Sequence, residues 1–189
     1  MKNGSNRQEP NGVTDIIPNV VAFIAGRSGT GKTTLMEALV AVLKGNGYRV
    51  GTVKHSGHEA AMDKKGSDSW RFTQAGADIT VLAAKGQLAV LRAITQPSLD
   101  DALLEASSGT DIVLVEGFKE MPVPKIEVYR SGYSDGLYSR QDKHPDPYLI
   151  AVASDTPLDV DVPVLDLNDP DNVCEFIIKR IFKGRKREY

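Results

Sequence analysis

The sequence predicts an α/β fold built on a largely parallel sheet, and three observations carry that expectation. The apolar run at 20–25 is continuous rather than alternating, as in a strand buried on both faces. A glycine-rich turn and then an amphipathic stretch follow it at once, the order of a βαβ unit. Short β-rich runs then recur between helix-like stretches along the chain, the alternation typical of parallel α/β sheets.

Residues 1 to about 17 are polar, offer little to bury, and are expected to be a flexible extension. The fold is placed at 18–183, with a basic tail at 184–189. In 33–44, Leu35, Leu39 and Val42, with Met36, Val40 and Leu43 beside them, form the wide apolar stripe of a helix. Gly45-Asn46-Gly47 stops it, and 48–54 reads as the second strand. Residues 56–66 read as a loop. Ser67 caps a short helix running through Trp70 and Phe72 to Ala75, closed by Gly76. The runs 78–84 and 87–94 are joined at Lys85-Gly86 and read as a β-hairpin. Ser98 caps a helix containing Leu99, Ala102 and Leu103. Residues 112–115 form another buried strand, 125–130 and 148–153 are further strands, and 162–165 is a short one. Asp169 caps the last helix, Pro170 takes its first position, and Val173, Phe176, Ile177 and Ile181 are its buried face. The stretch 132–147, rich in Gly, Ser, Asp, His and Pro, reads as an exposed loop or arm, either mobile or part of a subunit contact.

The chain has 189 residues, enough for one domain with a proper core. Its 23 Lys and Arg are outnumbered by 25 Asp and Glu, so nothing points to nucleic acid as a partner. The single cysteine, Cys174, cannot form an internal disulfide and reads as a small buried hydrophobe. No run of about 18 apolar residues is present, so no membrane span is expected. The start lacks a basic region followed by an apolar stretch, so no signal peptide is expected and the cytoplasm is the expected compartment.

The sharpest local signal is Gly26-Arg27-Ser28-Gly29-Thr30-Gly31-Lys32-Thr33, the pattern G-x-x-x-x-G-K-[ST] of a phosphate-binding loop. Its glycines let successive backbone N–H groups face phosphate oxygens, and the helix that follows adds its positive end. Lys32 reaches the β- and γ-phosphates, the Thr33 hydroxyl can ligate Mg2+, and Thr34 faces the α-phosphate side. A chance glycine-rich turn would also match the pattern, but the flanking strand and helix supply the context that the function requires.

Such a loop needs an acidic residue at the end of a neighbouring strand. Glu116, at the carboxyl end of the strand through Val115, fits as metal ligand and catalytic carboxylate, and Gly117 lets the chain turn there. Asp111 begins the same strand and is expected to be structural, at the opposite edge. Lys54 and His55 end the second strand and should face the site. Asp63, in the loop that follows, is a further candidate metal ligand. His55 and His58 with Glu59 do not complete a transition-metal centre.

Taken in order, the phosphate loop, Val53-Lys54-His55, Asp63-Lys64 with Gly66 and Asp68-Ser69, and Ala75-Gly76-Ala77 form the first half of a familiar pattern. Val115-Glu116-Gly117-Phe118-Lys119, Pro124-Lys125-Ile126 and 150–155 complete it. The chain, from about Val20 to the last helix, resembles the molybdopterin-guanine dinucleotide biosynthesis protein B family (MobB). The resemblance implies a P-loop NTPase fold of the GTPase class, GTP and Mg2+ as ligands, weak hydrolysis at best, and a homodimer. It also implies a role assisting the guanylyltransferase that attaches GMP to molybdopterin, with the pterin cofactor as a possible partner.

Two departures from the family pattern stand out. Gly57, Ala60 and Ala61 occupy a loop that is often richer in His and Asp, which leaves Asp63 as its main candidate. No Asn-Lys-x-Asp run reads guanine. Asp155 follows the strand at 149–153, where a carboxylate accepts from guanine N1–H and the 2-amino group; alternatively it caps the turn before Pro157.

No water-orienting group is evident, and Arg27 and Arg71 read as solvated arginines rather than arginine fingers, so slow turnover is expected. Lys119 suits an anion such as a pterin phosphate, while Lys183, Arg185, Lys186 and Arg187 suit a solvated helix end. A small-molecule kinase on the same loop is the alternative reading, with Arg130 and Arg140 flanking the flexible stretch. A metal-delivering GTPase would want a Cys or His cluster, which the sequence lacks.

Overall fold

The computed structural model describes residues 19–57, 61–140 and 146–181. They fall into two compact units, one formed by the chain up to His55 and from Leu99 onward, the other by Ser56–Ser98.

The first unit is a six-stranded sheet with helices on both faces. Its strands are β1 (Val20–Ile24), β2 (Val50–Lys54), β5 (Ile112–Glu116), β6 (Lys125–Tyr129), β7 (Leu149–Ser154) and β8 (Val164–Asp166). The second unit contributes β3 (Ile79–Ala84) and β4 (Gln87–Arg92). The spatial order of the large sheet is β2-β5-β1-β6-β7-β8, and every pairing is parallel. The expected α/β class with a largely parallel sheet is therefore what forms.

The continuous apolar run of β1 has a simple cause. Successive strand side chains point to opposite faces. Val21, Phe23 and Ala25 enter one core cluster, with Leu35, Met36, Leu39 and Leu43 of α1 (Lys32–Gly45) and Val173, Cys174 and Ile177 of α4 (Pro170–Arg180). Val20 and Ala22 enter the other, with Leu99 and Leu103 of α3 (Leu99–Ser107) and with Val113 and Val115. A strand with a core on each side has no face left for polar residues. Cys174 is buried, as its apolar neighbours suggested.

Each end of β5 has its own job. At its start, Asp111 accepts from the Arg49 backbone N–H (2.8 Å) and forms an ion pair with the Arg49 guanidinium (2.9 Å), the structural role expected of it. β2 begins at Val50 rather than at Tyr48, although the Arg49 carbonyl still accepts from the Asp111 N–H (2.7 Å). β8 likewise begins later than the sequence suggests. Pro163 has no N–H to donate, and its carbonyl instead accepts from Val152 (2.9 Å) just before the strand.

Gly51 is required by packing that the sequence did not reveal. A Cβ there would lie 2.4 Å from the Ala106 carbonyl oxygen, at the end of α3.

The described part of 132–147 is not a free arm. Leu137 is buried, and Tyr138 and Ser139 donate their N–H groups to the Glu127 carboxylate at 2.5 and 3.1 Å. Glu127 is only 1% exposed, so its charge requires such donors, and the chain folds back to supply them in a 3-10 turn over Tyr138–Arg140. Asp146 closes the segment through an ion pair with buried Lys125 (2.7 Å).

In the second unit, Ser67 caps α2 (Asp68–Gln74) by accepting from the Trp70 N–H, and Gly76 ends it at φ 99°. β3 and β4 form the expected antiparallel hairpin, with Ala84 opposite Gln87 and Lys85-Gly86 as its two-residue turn. The extension at 1–17, His58, Glu59 and the basic tail lie outside the described residues.

Candidate functional site

The parallel sheet brings the carboxyl ends of β1, β2 and β5 to one edge, where α/β folds place ligands. Phe23 lies opposite Glu116, and Lys54 lies opposite Glu116 on its other side. The glycine-rich loop leaves β1 at this edge. Gly29 (φ 80°) and Gly31 (φ 100°) take left-handed conformations there, and Gly31 serves as N-cap of α1.

Three predicted residues meet directly. The Thr33 hydroxyl donates to Glu116 Oε2 at 3.0 Å, and the Lys54 ammonium donates to the same oxygen at 3.2 Å. Lys32 bends over the loop to the Arg27 carbonyl (3.4 Å). Burial pushes the Lys32 ammonium below its ordinary pKa; Glu116 opposes that shift, while Lys119 and Lys54 add to it. Three lysines therefore share the field of one carboxylate, an excess of positive charge suited to a polyanion. A crevice of about 350 Å³, lined by Met36, Val40 and Val53 among others, opens beside Thr33, Lys54 and Glu116.

The Lys54-His55 and Glu116-Gly117-Phe118 segments form one structure. His55 donates its N–H to the Glu116 carbonyl (2.8 Å), and its ring lies 4.5 Å from that of Phe118. A Cβ on Gly117 (φ 96°) would come within 2.9 Å of the His55 Cβ, so the turn after Glu116 needs glycine. Phe118 follows at φ 52°, strained for a residue with a side chain. Lys119 places its ammonium 4.3 Å from the Tyr138 ring centroid.

The other candidates make contacts of their own. Asp155 follows β7; its Oδ1 accepts from the Ser131 N–H (2.7 Å) and its Oδ2 lies 3.8 Å from Arg130. The turn before Pro157 is held by Ser154, whose hydroxyl accepts from the Thr156 N–H (3.1 Å). Asp63 belongs to the second unit. The Ser69 hydroxyl, with Lys64 N–H and Ser67, holds its carboxyl below the usual range. Arg27 is not simply solvated: it forms an ion pair with Asp135 (3.0 Å) beside the Tyr133 ring. Arg71 pairs with Asp68 (3.5 Å). Among the described residues no group of three or more His, Cys, Asp or Glu side chains could hold a metal ion.

Sequence reasoning missed the contacts that 130–135 makes with the phosphate loop. Arg130 Nε donates to the Thr30 carbonyl (3.4 Å), and a Cβ on Gly29 would lie 2.7 Å from the Tyr133 hydroxyl oxygen. The one available signal was an arginine standing at the carboxyl end of a strand.

A family model for molybdopterin guanine dinucleotide synthesis protein B matches residues 20–155, a span that contains the loop, Lys54, Glu116 and Asp155. The chain belongs to the MobB family. A Haemophilus influenzae relative named molybdopterin-guanine dinucleotide biosynthesis adapter protein is 39% identical over 156 residues, covering 82% of this chain and 85% of that one. An Escherichia coli relative of the same name is 37% identical over 164 residues, covering 85% and 91%. The crystal structure of a MobB homologue from Bacillus stearothermophilus aligns with TM-score 0.64 at 31% identity, covering 86% of this chain and 97% of that one. The MobB relatives are thus matched along most of their length, and the parallel sheet with flanking helices is the MobB fold.

Proposed function

We propose that this MobB-family chain binds GTP with Mg2+, hydrolyses it slowly if at all, and acts as an adapter to the enzyme that attaches GMP to molybdopterin. The observation that carries the nucleotide reading is the convergence of Thr33 and Lys54 on Glu116, beside Lys32 and the two left-handed glycines. The adapter role is supported by the names of the relatives.

The residues fit the ligands. Thr33 Oγ1 and Glu116 Oε2 are hard oxygen donors 3.0 Å apart, of the kind Mg2+ takes alongside phosphate oxygens. Gly26, Ser28, Gly29, Thr30, Gly31, Lys32, Thr33 and Thr34 would hold the phosphates, and Asp155 would read the guanine edge. Asp63, kept ionised by its hydroxyl donors, is a further candidate metal ligand. Bound Mg2+ would neutralise phosphate charge. The chain itself supplies positive charge through Lys32 and fixed backbone donors. Arg27 and Arg130, the two arginines against the loop, are both engaged, so slow turnover is expected.

The hairpin of the second unit supports a homodimer. Ile79, Val81, Leu88 and Val90 are exposed, and a two-stranded ribbon is marginal unless something covers it. Lys119 is proposed as an anion site for the pterin phosphate. A Lys119→Ala protein that binds the pterin nucleotide normally removes that part. No described helix is long and apolar enough to cross a membrane, and a cytoplasmic protein without nucleic-acid partners is the consistent proposal.

Calorimetric titration of GTP and ATP, with and without Mg2+, tests the nucleotide reading, with Asp155→Ala beside the wild type. Mg2+-dependent GTP binding, with ATP much weaker and the difference lost in Asp155→Ala, is expected. Equal or better ATP binding overturns the guanine reading and favours a small-molecule kinase.

A further inference from the structure

We infer that Arg130 is a nucleotide-positioning residue that couples the phosphate loop to the base-reading carboxylate, so that guanine selectivity depends on it; this rests on Asp155 reading the base. Arg130 stands one residue beyond β6, between the two ends of the proposed nucleotide site. On one side its Nε donates to the Thr30 carbonyl (3.4 Å), and its Nη2 would lie 3.3 Å from a Cβ on Gly31. On the other side its Nη1 lies 3.8 Å from Asp155 Oδ2. One planar guanidinium thus touches the outer wall of the loop and the carboxylate together, which a point-like ammonium could not do with the same geometry.

The backbone around Arg130 is held as well. Its own N–H donates to the Ser134 hydroxyl (3.1 Å), and the next residue, Ser131, donates its N–H to Asp155 Oδ1 (2.7 Å). Three residues on, Tyr133 sets its hydroxyl against Gly29, and Asp135 holds Arg27. The segment 130–135 therefore grips the loop at Arg27, Gly29, Thr30 and Gly31 while it holds Asp155 by its Oδ1 and sets a cation near its Oδ2. Backbone amides of a phosphate loop act only when the loop is held in register, and a base-reading carboxylate discriminates only when it is held at a set distance from that loop. Arg130 joins the two, without needing to touch the nucleotide itself.

Asp155 keeps an accepting role in this arrangement. The Arg130 contact at 3.8 Å is longer than a hydrogen bond, so the Oδ2 lone pairs remain open to N–H donors.

The test is a double-mutant cycle on the full chain. Mg2+-GTP and Mg2+-ATP are titrated into wild type, Arg130→Ala, Arg130→Lys, Asp155→Ala and the Arg130→Ala/Asp155→Ala double variant, with thermal melts as a folding control. Arg130→Ala is expected to lower GTP affinity by about tenfold and to lower ATP affinity much less, so the GTP:ATP ratio falls. Arg130→Lys, which keeps charge but loses the planar fork, recovers only part of that ratio. The double variant is expected to match Asp155→Ala within about twofold, the non-additivity of a coupled pair. The inference is overturned if Asp155→Ala lowers the ratio while Arg130→Ala leaves it at the wild-type value, or if the two losses multiply. An Asp155→Ala protein with unchanged selectivity overturns the base reading itself, and the pattern of variants distinguishes that result from failure of the coupling alone. Should Arg130→Ala not fold, the Arg130→Lys ratio decides the matter on the same terms.

Discussion

The Thr33 hydroxyl and the Glu116 carboxylate lie 3.0 Å apart, joining the first turn of α1 to the carboxyl end of β5 across 83 residues of sequence. Glu116 is a strand-end carboxylate whose side chain is only 15% exposed, and its partners come from α1 and β2. Glu116→Gln and Thr33→Ala are each expected to cut Mg2+-dependent GTP affinity by about tenfold or more, while affinity measured in EDTA changes little. Calorimetry with and without Mg2+ checks this; an equal loss in both conditions would rule out a metal role for the pair.

Lys32 gives a prediction with opposite signs for stability and binding. Its pKa is lowered in the folded chain, chiefly by burial, so folding disfavours the ammonium. That cost is fully present below the folded pKa and is relieved as pH rises through it toward the unfolded value. Lys32→Met is therefore expected to melt higher than wild type at pH 7 without nucleotide, with the gap narrowing toward pH 10, and to lose GTP binding. Melts of both proteins across that range decide it, and a variant that melts lower at pH 7 would count against the burial argument.

Two glycines should fail differently when changed to alanine. At Gly29 the backbone is left-handed and the Tyr133 hydroxyl stands in the way, so Gly29→Ala distorts the loop at a cost of about 1–2 kcal/mol and weakens nucleotide binding more than it weakens the fold. At Gly51 the obstacle is the Ala106 carbonyl, which is backbone and cannot swing aside. Gly51→Ala should cost about 1–3 kcal/mol in urea unfolding and leave GTP affinity of the folded fraction unchanged.

The exposed ribbon makes a prediction about assembly. Val81 pairs with Val90 and Ala83 with Leu88 on one face, and Leu88 is 69% exposed. Leu88→Lys or Val90→Lys should shift a dimer toward monomer in sedimentation experiments while GTP binding persists. A wild-type protein that is monomeric at micromolar concentration removes the proposal.

The sequence made the order of elements legible because the signals are local. Val20 to Ile24 could only be a central strand, the hairpin turned where Lys85-Gly86 stood, and Ser67 and Asp169 capped the helices they preceded. The phosphate loop was legible because its chemistry is written in consecutive residues. Glu116 and Lys54 were placed by the rule that parallel strands deliver ligands at their carboxyl ends. The grip of Arg130 and Tyr133 on the loop escaped because it depends on β6 lying next to β1, a pairing of residues about a hundred positions apart. Nor could composition show that Glu127 is buried: the donors that tolerate its charge come from Tyr138 and Ser139, in a stretch whose residues looked like those of a loose arm.

Lys54 stands against Glu116 as a resident counter-ion. A divalent cation arriving by itself must evict a lysine that already neutralises the carboxylate, whereas one arriving on a nucleotide brings phosphates that draw the same lysine away. On the proposed reading, that exchange of one positive partner for another would make the carboxylate select the metal–nucleotide pair as a unit rather than the free cation.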